Sequence, residues 1–480
     1  MPTLARASRA SWIALASRLR GSLILPDNPR YKFLATPRNL RYAALMPAGV
    51  ALCTGREDVA TAIRWARDAG MPFAIRGGGH NYMDASSSTG LIISTRGMRR
   101  AKLTGSALHA QSGLRNAELY RLLPKGGRGK YLLPGGNCPN VGIAGLTLGG
   151  GIGPNGPWAG LTADHLKKVT MVTADGEIVN ASSEDNPELF WGLRGGGGGN
   201  FGVVTDMTYE LVEVPSTPVT NFLLYFSNPD AIINATIAWQ KTRQLGGRLV
   251  SGTFLALCGP KGLSGKARGQ ILAGLDDATD ILSPLLSIPG VVIDELSERS
   301  FWKAYQWYTT PRSPRSTFWD RSLFVHEDLS SDLIEKIIKV IMRFPQPESG
   351  YGAFGIMGWV GGRVNDVAAE ATAYVHRDAQ ALLEMNAGWP SIRHPNSCPT
   401  PVPEDIRAWM TELWELVYPQ TNGQSYQNFP DPELSNWARA YYAQNLEGLI
   451  AVKSMWDPFD LFSQQQGFNP SDFKPKDRAS

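Results

Sequence analysis

The stretch RGGGHNYMDASS, residues 76–87, sets three glycines directly before His80, with Tyr82 two residues further on. Glycine has no Cβ, so a run of it lets the backbone approach a bound group closely, and its amides can cradle an anion such as a pyrophosphate. Two more loops of this kind follow. LPGGNCPNVGIAGLTLGGGIG, residues 133–153, carries Cys138, and LRGGGGGNFGVVT covers residues 193–205. Three such loops in one half of the chain are more than tight turns require. The third contains GxGxxG at Gly197, Gly199 and Gly202. That spacing marks a Rossmann dinucleotide site only where it follows a strand and opens a helix. Here NPELFWGLR before it reads as a helix and VVTDMTYELVEV after it alternates as a strand. The order is reversed, which argues against a nicotinamide site.

Outward from these loops, residues 1–45 show no clear periodicity and read as an arm. Thr54 and Glu57 have the spacing of a capping box. Val59, Ala62, Ile63 and Ala66 then form an apolar helical stripe that Gly70 ends. PFAI and GLIIS read as short buried strands, NAELYRLLPKGG as a helix, and KKVTMVTADGEIVNAS as two strands around an Asp175-Gly176 turn. Helices and strands alternate to about Glu210. Beyond Pro215 aromatics accumulate (FWKAYQWYTT, STFWDRS, YGAFGIMGW), and long helical patterns appear in DLIEKIIKVIMRF and EDIRAWMTELWELVY. The alternation stops there, which predicts an antiparallel sheet covered by helices. NWARAYYAQNLEGLIAVKSMWD reads as one helix that DPFDLF stops. The pattern predicts a two-domain α+β protein: the arm, a first domain over 46–212, a second over 213–415, and a closing segment over 416–480 that returns to the first.

Bulk properties narrow the function. At 480 residues the chain exceeds one compact core, and 43% hydrophobic with 19% charged residues is a soluble globular balance. The net charge of +4 is scattered, with no basic block beyond pairs such as Arg99-Arg100 and Lys167-Lys168, so nucleic acid is not an expected partner. Cys53, Cys138, Cys258 and Cys398 form no CxxC, and the six histidines form no HExxH, so no metal is expected. No apolar run approaches the roughly 20 residues that span a bilayer, so no membrane partner is expected. Arg18 and Arg20 interrupt any signal-like core, which predicts a cytoplasmic location. The chain is expected to act as a monomer or homodimer.

His80 and Cys138, an imidazole and a thiol in separate glycine loops, are the two nucleophiles with which proteins tether a flavin. At this point the chain resembles the berberine-bridge-enzyme-like branch of the vanillyl-alcohol-oxidase flavoproteins, with their PCMH-type FAD-binding fold. The resemblance runs from about Ala48 to Phe468. RGGGHNY and PGGNCPNVG are similar to the family's flavin-linking loops, and ELFWGLRGGGGGNFGVVT to the loop ending its flavin domain. GGRVNDVAAEATAYVHRDA is similar to a substrate-domain strand, and YQNF and DPFDLFSQQQ to the closing segment.

The resemblance implies FAD bonded twice, by His80 at the 8-methyl carbon and by Cys138 at ring carbon 6. It implies cofactor contacts from Arg76, Gly77, Gly78, Gly79, Asn81 and Ser86 in the first loop, and from Gly136, Val141, Gly142, Gly145 and Gly149 in the second. Asn200, Gly202 and Val203 would supply the third. Tyr82, Tyr426 and Asn428 would line the substrate side. Tyr441 resembles the family's catalytic base, with Tyr82 and Tyr426 as further catalytic candidates. An unperturbed tyrosine, with a pKa near 10, needs help from a neighbour to serve; His376, Arg377 and Asp378 are candidates. Val141 resembles the residue of oxygen-reactive members. Leu146 stands where many relatives carry histidine, and QQQGF departs from the usual closing N-x-Q-S-I.

The implied reaction is two-electron oxidation of a small molecule (an alcohol, a sugar hemiacetal, or a natural-product C–H or C–N bond), with dioxygen as acceptor and hydrogen peroxide as product. The flavin would carry the hydride chemistry, and the protein orientation and electronics. The alternatives are a dehydrogenase of the same fold, a non-catalytic flavin-binding protein, and a redox-neutral cyclase.

Overall fold

The computed structural model describes residues 7–309, 314–390 and 398–469. The first six residues of the expected arm and the last eleven of the closing segment lie outside them. Three sheets organise the chain. The first has β1 (Ser22–Ile24), β2 (Gly49–Leu52), β3 (Phe73–Arg76) and β4 (Leu91–Ser94), in the order β1-β2-β4-β3. The arm is therefore not detached: β1 pairs antiparallel with β2, and Leu15 and Leu19 pack into the core beneath the sheet. The helix Arg56–Asp68 buries the predicted stripe of Val59, Ala62, Ile63 and Ala66 in that core. The expected capping box does not form. Gly55 is the N-cap, and the Thr54 amide and hydroxyl both donate to Asp58 Oδ2 at 2.9 Å, one position beyond the anticipated partner.

β3 and β4 are parallel neighbours. A parallel pair needs a crossover of a dozen or more residues, usually a helix. Here the first glycine loop makes the crossover, so helix–strand alternation lapses where the loop must wrap something.

The second sheet is antiparallel and comprises β5 (Ala101–Thr104), β6 (Ala107–Gln111), β8 (Leu166–Val172), β9 (Ile178–Ser182) and β10 (Val203–Glu210), in the order β5-β6-β10-β8-β9. Between β6 and β8 lies the short β7 (Tyr131–Leu132), which pairs only with β11 (Val212–Glu213). The third glycine loop leaves the helix Pro187–Gly192 and enters β10, the reversed order read from the sequence.

The third sheet has seven antiparallel strands: β12 (Val219–Phe226), β13 (Val250–Gly259), β14 (Gly262–Ile271), β15 (Val292–Arg299), β16 (Thr317–Val325), β17 (Tyr351–Gly358) and β18 (Ala381–Trp389). Their order is β15-β12-β14-β13-β17-β18-β16. The helices Pro229–Gly246, Leu275–Leu286, Ser331–Met342 and Glu404–Val417 cover one face, where Trp239, Ile337, Met410, Phe354 and Leu383 share a core. Side chains alternate across a strand, so Met357, Leu382 and Phe324 belong to a different cluster on the opposite face, with Trp359 and Tyr426. GGRVNDVAAEATAYVHRDA, likened to a strand, instead forms the short 3-10 turn Gly362–Asp366 and irregular backbone that reaches β18.

β16 is an edge strand, yet every residue in it is buried. An open edge invites unwanted pairing, and both terminal segments cover this one. The Phe324 amide donates to the Gln424 carbonyl at 2.9 Å, Tyr426 N to Ser322 Oγ at 3.2 Å, and Leu40 N to the Ser316 carbonyl at 2.9 Å. Trp319 Nε1 and Arg321 Nε donate to the two oxygens of buried Asp431, at 2.9 and 2.7 Å. This capping places Tyr426 and Asn428 against the sheet.

The predicted terminal helix is two helices, Trp437–Tyr442 and Leu446–Trp456, broken at Ala443, whose φ is +39°. In the second helix Lys453 is fully buried. Its Nζ meets Asp457 Oδ2 at 2.7 Å and Asp460 Oδ1 at 2.8 Å, and donates to the Asn200 carbonyl at 3.0 Å and the Phe462 carbonyl at 3.2 Å. The ammonium ties the closing segment to the third glycine loop. Lys453→Met strands two acids without their cation, and loss of one partner of a buried pair costs about 3–5 kcal/mol. Chemical denaturation of the variant checks that figure.

Candidate active site

One cavity of about 540 Å³ lies between the first two sheets and the inner face of the third, within the ordinary range for small-molecule sites. All three glycine loops reach it. Gly77–Gly79, His80, Asn81, Tyr82 and Ser86 come from the first, and Gly136, Cys138, Val141, Gly142 and Gly145 from the second. Gly198, Gly199 and Gly202 come from the third. The first two loops meet backbone to backbone. A Cβ on Gly78 would stand 2.3 Å from the Gly142 amide nitrogen, so a side chain there would push the loops apart. Asn116 pins the second loop by donating to the carbonyls of Gly136 at 3.1 Å and Cys138 at 3.0 Å.

His80 and Cys138 are half-buried on this shared wall. Burial, helped by the positive charges of Arg38 and Arg115, pushes the His80 imidazole down to about 3, so it is uncharged at neutral pH. Ser86 Oγ and Ser112 Oγ are buried, have no hydrogen-bond partner among the described residues, and sit in residues that line the cavity. A Cβ at Gly145 would meet nothing within 4 Å. Orphaned hydroxyls, bare backbone and the two nucleophiles fit a flavin dinucleotide. His80 and Cys138 would hold its ring, and the glycine loops with Ser86 and Ser112 its remainder.

Four predicted contacts lie elsewhere. Arg76 is buried and spends its donors on protein: Nε on the Ser86 carbonyl at 2.8 Å, Nη1 on the carbonyls of Leu34 and Ala35 at 2.8 and 2.6 Å, and Nη2 on Ser87 Oγ at 3.1 Å. It braces the first loop from behind. Gly149 is closed off by Asn428, whose side-chain atoms begin 2.2 Å from where a Cβ would lie. Asn200 faces a second, smaller cavity and donates to the Gly196 carbonyl at 2.8 Å. Val203 points into the core under the first sheet, and its neighbour Val204 lines the cavity, as the strand's two-residue period requires.

The end of the cavity against the third sheet is lined by Tyr82, Met357, Trp359, Glu384, Tyr426 and Phe429. Tyr82 stacks on Phe429 at 4.9 Å and meets Phe318 edge-on at 5.0 Å. The Tyr426 oxygen receives three N–H groups: Gly151 and Ile152 at 3.3 Å each, and Asn428 Nδ2 at 3.0 Å. Its own proton has no acceptor among the described residues. Burial raises its hydroxyl, and the three donors pull the other way.

Tyr441 stands apart. It lines the smaller cavity of about 60 Å³, where its hydroxyl accepts from Asp431 N at 2.9 Å and donates to Gln466 Oε1 at 3.2 Å. Both of its roles are taken by structural partners, and burial pushes it far up. Tyr442 donates to the Gly196 carbonyl at 3.3 Å. Of the helpers proposed for a tyrosine base, His376 bonds Gln424 Oε1 at 2.8 Å, Arg377 pairs with Asp164 at 2.7 Å, and Asp378 pairs with His326 at 3.0 Å.

Sequence reasoning missed Ser112, Asn116, Trp359 and Glu384. Only Glu384 left a signal: it is the sole acid in the otherwise largely apolar ALLEMNAGW of β18.

Comparison with known proteins agrees with this geometry. Residues 47–182 match the family model described as FAD binding domain, and residues 425–469 the one described as berberine and berberine like. The chain is 30% identical over 463 residues to the uncharacterized FAD-linked oxidoreductase YgaK of Bacillus subtilis (strain 168), covering 95% of this chain and 98% of the relative. Among solved structures, Physcomitrella patens BBE-like 1 superposes with a TM-score of 0.82 at 25% identity, over 96% of this chain and 99% of that one. A glucooligosaccharide oxidase from Acremonium strictum, described with a 6-S-cysteinyl, 8α-N1-histidyl FAD, superposes with a TM-score of 0.81 at 25% identity. It too covers 96% of this chain and 99% of its own.

Proposed function

The chain belongs to the berberine-bridge-enzyme-like FAD-linked oxidoreductases, and on that premise we propose that it is an oxidase whose FAD is bonded to both His80 and Cys138. The observation that carries this is the convergence of the two residues, from separate glycine loops, on one cavity that also holds Tyr426. The Acremonium strictum enzyme supports it by the flavin linkage in its description. His80 is in the uncharged form that can bond carbon.

FAD, held by His80, Cys138 and the glycine loops, would supply the hydride acceptor and the reactivity toward dioxygen that yields hydrogen peroxide. The chain's residues supply position and a proton acceptor. A substrate lying against Met357, Trp359 and the stacked pair of Tyr82 and Phe429 has its oxidisable carbon near the tethering loops. Ionised Tyr426 takes the proton from the substrate's O–H or N–H and becomes neutral, and three N–H donors stabilise the phenolate that must form beforehand. The base is thereby assigned to Tyr426 and not to Tyr441. The dehydrogenase alternative turns on Val141, which lines the cavity beside Cys138. Val141→Ile adds a methylene to a packed wall. It is expected to slow reoxidation in air severalfold, with a smaller effect on reduction by substrate. Stopped-flow measurement of the two half-reactions checks this, and equal slowing of both would contradict it.

A further inference from the structure

The inner face of the third sheet does not stop at the cavity. Residues directly opposite one another share a face, so the register traces that face outward from Met357, which lines the cavity. Met357 faces Thr253 on β13, and Thr253 faces Arg268 on β14. The next row runs from the cavity-lining Glu384 through Gly355 and Leu255 to Lys266. Thr253, Leu255, Lys266 and Arg268 are half-buried, so the described residues leave this stretch of sheet partly open and continuous with the cavity. Lys266 and Arg268 stand two residues apart in β14, on one face and about 7 Å from each other along the strand.

We propose that Lys266 and Arg268 form a receptor for a carboxylate at the far end of the substrate, two strand spacings or about 10 Å from the cavity wall at Met357. Both side chains are cations at neutral pH: a guanidinium does not titrate in a protein, and a lysine titrates near 10.4. Neither has an ion pair among the described residues, and the Lys266 ammonium has no hydrogen bond there either. Burial, and then the charge of Arg268, draw Lys266 down from its ordinary value, as befits a cation short of counterions. Arg268 is held in place on its other side: Nη2 donates to the Trp307 carbonyl at 2.8 Å, and the guanidinium lies 4.8 Å from the Trp307 ring centroid and 5.0 Å from that of Tyr308. Glu295 joins the same face from β15, but Arg299 Nη1 and Nη2 take its two oxygens at 3.1 and 3.0 Å. Two like charges on one face repel each other, and an anion seated against both offsets that cost. Between this pair and the cavity the floor is Thr253, Leu255 and Gly355, where an elongated molecule can lie flat.

The inference rests on the proposed flavin site only in taking this end of the cavity as the substrate's. The test is calorimetric titration of the purified yellow protein with 6-phenylhexanoate and with its uncharged isostere, 6-phenylhexanamide. The phenyl group suits the aromatic wall of Trp359, Tyr82 and Phe429, and the chain reaches outward along the sheet. The carboxylate is expected to bind at least about tenfold more tightly than the amide, and the preference should shrink as salt is added. Lys266→Met, which keeps an apolar stem and should leave the flavin absorption unchanged, is expected to lose most of the preference. Lys266→Arg is expected to keep it. Phenylacetate, too short to reach from the aromatic wall, should show no preference over phenylacetamide. Equal affinity for the two long probes in the wild type, a preference that survives Lys266→Met, or an equal preference with the short pair overturns the proposal. A colourless preparation would contradict the flavin reading alone, and the same titrations would still decide whether the lysine selects an anion.

Discussion

Tyr426→Phe is expected to slow reduction of the bound flavin by about 10²–10⁴-fold, the usual contribution of a positioned general base. The ring and its packing are kept, so folding and the flavin spectrum should survive. A base that acts in the transition state lowers kcat and kcat/KM together. The acceptor must be ionised to work. Burial raises the Tyr426 hydroxyl despite its three N–H donors, so the wild-type rate should climb into the alkaline range, and Tyr426→Phe should flatten that climb. Tyr441→Phe should leave the rate nearly unchanged, because its hydroxyl serves Asp431 N and Gln466. Rapid-mixing measurement under nitrogen distinguishes the two. A damaging Tyr441→Phe beside a harmless Tyr426→Phe would return the base to the terminal helix.

The second large effect concerns the tether. His80→Ala and Cys138→Ala are each expected to keep flavin on the denatured chain through the remaining bond. The double variant should release all of it on acid precipitation. The sites lie on separate loops joined at Gly78 and Gly142, so loss of one bond leaves the cavity's shape in place. Fluorescence of the denatured chain after gel separation reads the outcome. If one single variant loses all covalent flavin, one bond suffices and the other residue has a different role.

Much of the site was legible because glycine, histidine and cysteine are chemically distinctive, and local backbone context shows where they sit. The reversed order around the third loop was readable from the helical NPELFWGLR and the strand beginning at Val203. Helical stripes in Ser331–Met342 and Glu404–Val417 were equally plain, since a buried face imposes its period on the sequence.

What failed depended on contacts distant in sequence. The arm looked irregular because its short β1 is stabilised by pairing with β2, not by its own pattern. Arg76 was taken for a cofactor contact by its place in the motif, but its partners, Leu34 and Ala35, lie some forty residues earlier. Tyr441 and Tyr426 could not be separated without knowing that the chain breaks at Ala443 and that residues 424–431 cap β16. Asp320 and Glu384 become diagonal neighbours only once β16 and β18 are in register.

The most direct test of the doubly tethered flavin is the mass of the acid-denatured wild-type chain, followed by proteolysis. The expected intact mass exceeds that of the sequence by one FAD. After digestion, the peptide containing His80 and the peptide containing Cys138 should remain joined through the flavin. A chain at its bare sequence mass, with free FAD in the acid supernatant, would contradict the account.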